Sequence, residues 1–186
     1  MNQLSGGFAD LARDSAHAFR RVMEAMARPG SIVTVSGAEA PGISVAAATV
    51  LLTLTDTTTP LHLAGALDTE SLRHWIAFHS GAPMVAPDAA AFALGTWEDL
   101  QPVTRFPMGE PSYPDRSATL IVEVARLTND GPRLTGPGIR DEARLSLPET
   151  AAFQANRALF PLGFDTILTC GNQLAALPRT TIVEDV

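Results

Sequence analysis

The run ATLIVEVARL, residues 118–127, is the strongest strand in the chain. Its middle is apolar at consecutive positions instead of alternating, the pattern of a strand covered on both faces. Leu120, Val122 and Val124 are therefore expected in the core. Past this strand, TNDGP turns into a short strand at Arg133–Thr135, followed by a tight turn at Gly136-Pro137-Gly138. Pro148 and Glu149 suit the first turn of a helix with Phe153, Leu159 and Phe160 on its apolar side. DTILTC and QLAALP then flank Gly171-Asn172, a two-residue hairpin signal.

Ahead of the central strand, four prolines fall with Gly109 between Gln101 and Asp115. Proline removes ladder donors, so this segment is expected to be an irregular loop at a surface or interface. Short strands are expected near Met84–Ala86, Ala91–Leu94 and Leu61–Leu63. Asp68 reads as the cap of a helix that turns Leu72, Trp75 and Ile76 inward and ends at Gly81. Ser44 caps an alanine-rich helix running to about Thr55, and SIVTVS (31–36) reads as a strand. The first helix is expected from about Phe8 to Ala27, with Phe8, Leu11, Ala12, Phe19, Val22, Met23 and Met26 at three- and four-residue steps. Pro29 and Gly30 stop it. Helices and strands mix throughout, with both crossovers and hairpins, so the class is α/β or α+β with a mixed sheet. No repeat or linker interrupts the 186 residues, which predicts a single domain 1–186 with 1–7 as a mobile end.

Composition narrows the chemistry. Hydrophobic residues are 46% and charged residues 18%, which excludes bulk disorder. The net charge of −7 excludes a general nucleic-acid binder, which needs a basic excess to displace counterions. All 13 basic residues are arginine. Without lysine there is neither a Schiff-base lysine nor a P-loop lysine. The single cysteine, Cys170, excludes an internal disulfide and an iron–sulfur cluster held by this chain alone. Its apolar strand predicts a buried, inert thiol. The first residues lack a basic leader, and the most apolar stretch, 43–54, is too short for a span. Together these predict a soluble cytoplasmic protein without a membrane partner.

No catalytic constellation is visible. His74 and His79 are five residues apart on one helix and point away from each other, while His17 and His62 lack ligand-spaced neighbours. The sequence thus names no catalytic residue, metal site or cofactor site. Arg20 and Arg21 on the first helix, and Phe106 and Tyr113 in the proline-rich segment, are the residues singled out as partner or anion contacts, since Arg and aromatic side chains anchor interfaces. Asp141-Glu142 reads as a solvated turn.

Several strings, in order, resemble the PhnH family, the H subunit of the bacterial carbon–phosphorus lyase system. They are AFRRVMEAMARPG (18–30), ATVLLTLTDTTTPLHL (48–63), FHSGAPMV (78–85), SATLIVEV (117–124), LTGPGI (134–139), FPLGFDTILTC (160–170) and LAALPRTT (174–181). The resemblance implies a three-layer α/β/α sandwich with a mixed sheet, like the large domain of PLP-dependent transferases without the cofactor site. It also implies G, I and J subunits as partners and a homodimer when isolated. The implied function is an accessory, non-catalytic subunit at the stage forming alpha-D-ribose 1-methylphosphonate 5-triphosphate from ATP and methylphosphonate. The alternative from another class is a stand-alone transferase or hydrolase acting on a small phosphorylated substrate.

Overall fold

The computed structural model describes residues 5–185. In chain order the elements are α1 (Leu11–Ala27), β1 (Val33–Thr34), α2 (Val45–Leu54), β2 (Leu61–Leu63), α3 (Glu70–His79), β3 (Phe92–Thr96), β4 (Met108–Glu110), β5 (Tyr113–Ser117), β6 (Thr119–Glu123), β7 (Arg133–Thr135), β8 (Ala143–Arg144), α4 (Ala151–Ala158), β9 (Asp165–Cys170), β10 (Gln173–Leu177) and β11 (Ile182–Glu184).

The main sheet has six strands in the order β1-β10-β9-β6-β3-β2. Strands β2, β3, β6 and β9 run parallel, β10 pairs antiparallel with β9, and β1 pairs antiparallel with β10. The strand 118–127 is thus central, as its pattern requires: β6 pairs with β3 on one side and β9 on the other, and Leu120, Ile121 and Val122 are fully buried. Val124, just past it, is half-buried.

Side-chain alternation splits the core into two. Leu94, Ile121 and Ile167 face a cluster built with α1, α2 and α3. Ala93, Leu120 and Leu168 face a second cluster with Trp97, Phe106, Leu134, Phe153 and Val183. The sheet is therefore covered on both faces, but the two covers differ. The first is helical. Among the described residues, the second holds one eight-residue helix, α4, and a three-stranded sheet, β11-β7-β8, instead of a full helical layer.

Local chemistry explains the ends of the helices. Ser44 Oγ accepts the Ala47 N–H at 3.0 Å and starts α2, whose residues 46–51 are all buried. Asp10 caps α1, so the helix begins at Leu11, and Phe8 lies before it, buried in the core. The cap of α3 is Thr69, whose Oγ1 accepts the Leu72 N–H at 3.2 Å, and not Asp68. Asp68 instead takes the Arg73 guanidinium on both oxygens, which holds its carboxyl below the ordinary range.

Other expectations are corrected. The strand read over 31–36 is only Val33–Thr34, which pair with Leu174 and Gln173. Met84 makes an isolated bridge to Leu61 instead of a strand. The proline-rich segment is not an irregular loop. It forms a short 3-10 turn and the hairpin β4–β5, in which Pro114 sits without need of an N–H. In α4, Phe153 and Asn156 turn inward while Leu159 and Phe160, past the helix end, are exposed. Of the segment 1–7, Ser5 O accepts the Trp75 indole N–H at 3.0 Å and Gly6 O accepts the Glu39 N–H at 2.8 Å. Residues 1–4 lie outside the described residues.

Candidate functional site

Parallel strands leave a crevice beyond their carboxyl ends, the usual place for a ligand in such sheets. Here β3 and β6 end side by side at Thr96 and Glu123, and a cleft of about 350 Å³ opens beyond them. Trp97 and Glu98 continue β3 into its wall, Val124 to Arg126 continue β6, and Ser146 to Pro148 close it.

The polar groups of this cleft are largely committed to the fold. Glu123 Oε1 accepts the Ser44 N–H at 2.6 Å, so its carboxylate sits at the N-terminus of α2, where the helix dipole favours an anion. Thr96 Oγ1 donates to Asp99 Oδ2 at 3.0 Å and receives the Asp99 N–H at 3.3 Å. Ser146 Oγ receives the Thr128 N–H at 3.0 Å. The Trp97 ring stacks on Phe153 with centroids 5.1 Å apart. What remains is the Arg126 guanidinium, the Glu98 carboxylate and the buried Trp97 indole N–H, which has no partner among the described residues. A polyphosphate is held by clustered cations or an array of backbone N–H groups, and this lining carries a single arginine. It also holds no histidine, and the Ser146 hydroxyl donates to the Arg126 carbonyl at 3.5 Å.

Elsewhere, His62 and His79 pack into the fold and His74 and His17 lie on its surface. His62 Nδ1 meets Val85 O at 3.0 Å, and His79 packs on Trp75 at 4.7 Å. His74 lies 3.9 Å from Glu70 on the exposed side of α3, and His17 is exposed on α1. Among the described residues, no three His, Cys, Asp or Glu side chains gather where a metal ion could be held. Cys170 is half-buried instead of buried, because it ends β9 beside Ala125, whose carbonyl its thiol meets at 3.6 Å. Asp141 is exposed, and Glu142 pairs with Arg133 at 2.8 Å.

The four residues named from sequence do not converge. Arg21 is a clamp: its Nε donates to Thr34 O at 3.2 Å and its Nη1 to Glu24 at 2.5 Å, tying α1 to β1. Arg20, one position earlier, points elsewhere and is exposed. Phe106 is only 3% exposed and belongs to the core on the opposite face of the sheet from α1. It is a packing residue, since its ring fills the space between His62, 5.8 Å away, and the second cover. Tyr113 is exposed on the β4–β5 hairpin, with the Arg116 guanidinium 4.0 Å above its ring. Sequence reasoning missed the outer face of α1. Phe19 and Met23, counted in the apolar periodicity of this helix, are 47% and 49% exposed, while Ala18, Val22 and Ala25 are the residues that pack. The signal was present as a second apolar stripe on the same helix.

Residues 6–184 match the family described as bacterial phosphonate metabolism protein (PhnH). The chain is 40% identical over 190 residues to the alpha-D-ribose 1-methylphosphonate 5-triphosphate synthase subunit PhnH of Rhizobium meliloti (strain 1021), covering 97% of this chain and 95% of that one. It is 35% identical over 178 residues to the putative C-P lyase subunit protein HtxG of Stutzerimonas stutzeri, covering 88% of this chain and 83% of that one.

Proposed function

The chain belongs to the PhnH family of bacterial phosphonate metabolism proteins, and from that premise we propose that it is an accessory, non-catalytic subunit of a carbon–phosphorus lyase core complex. Its stage is the formation of alpha-D-ribose 1-methylphosphonate 5-triphosphate from ATP and methylphosphonate. The observation that carries this reading is the likeness, over nearly the whole of both chains, to a subunit of that synthase.

In this reading the working partners are the G, I and J subunits, the isolated chain is a homodimer, and the complex is cytoplasmic. That no helix among the described residues is long and apolar enough to cross a membrane is compatible with this. Residues 1–186 act as one domain, akin to the large domain of PLP-dependent transferases. The residues present do not fit that cofactor, because the chain has no lysine to hold it as an imine.

The test is co-expression with the G, I and J subunits, size-exclusion chromatography, and the synthase reaction with and without this chain. The chain is expected to co-elute, and the rate to fall when it is omitted. Elution apart from an otherwise assembled complex that runs at full rate overturns the proposal.

A further inference from the structure

Helix α1 carries two apolar faces. The inner one, Ala18, Val22 and Ala25, packs on the sheet and α2. The outer one runs Ala12, Ala16, Phe19, Met23 and Ala27 at steps of three and four residues, and every member is exposed. Single exposed apolar side chains are ordinary. Five on one stripe of a 17-residue helix make the surface that another helix packs against. The three alanines let a second backbone approach closely, and Phe19 and Met23 are the knobs.

The border of that stripe says what kind of helix fits. Arg13, His17 and Arg20 follow one another along one edge, all exposed. The carboxylates of this helix have partners within it. Asp10 caps the Arg13 N–H, Asp14 accepts the Asp10 N–H at 2.9 Å, and Glu24, one turn beyond Arg20 on the same edge, pairs with Arg21 at 2.5 Å and Arg28 at 3.9 Å. Arg13 and Arg20 therefore give the edge a positive charge in a chain whose net charge is −7. We propose that the outer face of α1 seats a helix of a different polypeptide, one whose apolar stripe is bordered by Asp or Glu. The inference rests on the subunit reading and names the surface through which it operates.

A second copy of this chain fits poorly. Two-fold pairing of antiparallel α1 helices sets each basic edge against its own twin, and like charges in an interface are costly. An anionic membrane fits poorly too, since three of the five stripe residues are alanine, too small to anchor a helix in lipid.

The test uses the wild-type chain and two variants, Phe19→Asp and the pair Arg13→Glu/Arg20→Glu, each checked by thermal melting. Association with the co-expressed G, I and J subunits is measured by titration calorimetry at low and high salt. Each variant is expected to melt as the wild type and to bind about tenfold or more weakly. The deficit of the arginine pair should shrink at high salt. Wild-type affinity in Phe19→Asp overturns the inference while leaving the subunit reading intact. A wild-type chain that joins no subunit overturns the subunit reading, and this inference with it. A wild-type dimer that Phe19→Asp dissociates overturns it in favour of self-association. Co-sedimentation with phosphatidylserine vesicles that Arg13→Glu/Arg20→Glu abolishes overturns it in favour of a lipid surface.

Discussion

Arg179 grips Asp165 with three donors: its backbone N–H at 2.8 Å and its Nε at 3.2 Å both reach Oδ1, and its Nη2 reaches Oδ2 at 2.5 Å. The same guanidinium donates to Pro114 O at 2.8 Å and to Ser117 Oγ. The pair thus ties the start of β9 and the exit of β10 to the β4–β5 hairpin. The two side chains are 12% and 19% exposed, so the charges are mostly withdrawn from water. Replacing Arg179 with Met leaves the Asp165 carboxylate without its counter-ion, which should cost about 3 kcal/mol. Urea unfolding checks this, and a midpoint equal to the wild type refutes it.

Val122→Asp places a carboxylate in the middle of the central strand, where Val122 is fully buried between β3 and β9. An unpaired buried charge belongs among the largest single-site effects, above about 4 kcal/mol. The variant is expected in the insoluble fraction. A soluble variant with unchanged melting contradicts the covered-strand account.

Asn156 pairs with the backbone of Phe164 as another strand would, donating from Nδ2 to Phe164 O at 2.8 Å and accepting the Phe164 N–H at 2.9 Å. Asn156→Ala leaves both backbone groups unsatisfied inside the protein, at a cost of about 2–4 kcal/mol. Asn156→Asp should be at least as damaging, since a carboxylate cannot donate to Phe164 O and its charge is buried. Denaturant melts of the two variants side by side decide the order.

The Asp68 carboxyl is held below its ordinary value chiefly by its hydrogen bonds to Arg73. A depressed folded-state value adds stability above the unfolded value, about pH 3.9, and that stability is lost as pH falls through the folded value. The pair lies at the surface, so Asp68→Asn should lower stability at pH 7 by under about 1 kcal/mol. The gap from the wild type should close as pH drops below about 4. Thermal melts from pH 7 to pH 2.5 test this, and a gap that widens in acid reverses the sign.

Local signals decided what depends on neighbours in the chain. The consecutive apolar run 120–122 marked a covered strand, Gly171-Asn172 marked a hairpin, and Ser44 marked a helix start, each borne out. The absence of lysine and the single cysteine excluded whole classes of chemistry before any fold was known. The ordered strings pointed to the PhnH family, to which the chain belongs.

What packs against what was decided only in three dimensions. A helix with two apolar stripes does not say which one the sheet will take. The smaller residues of α1 won, because Ala18, Val22 and Ala25 let it lie close to α2 and β10, and Phe19 was left outside. Phe106 and Tyr113 lie seven residues apart in one proline-rich segment, yet one fills the core and the other meets solvent, because the β4–β5 hairpin separates them. The cleft beyond Thr96 and Glu123 had no motif at all. It exists because parallel pairing of β3 and β6 aligns two strand ends that are 27 residues apart in the chain, a long-range register that short-range pattern does not encode.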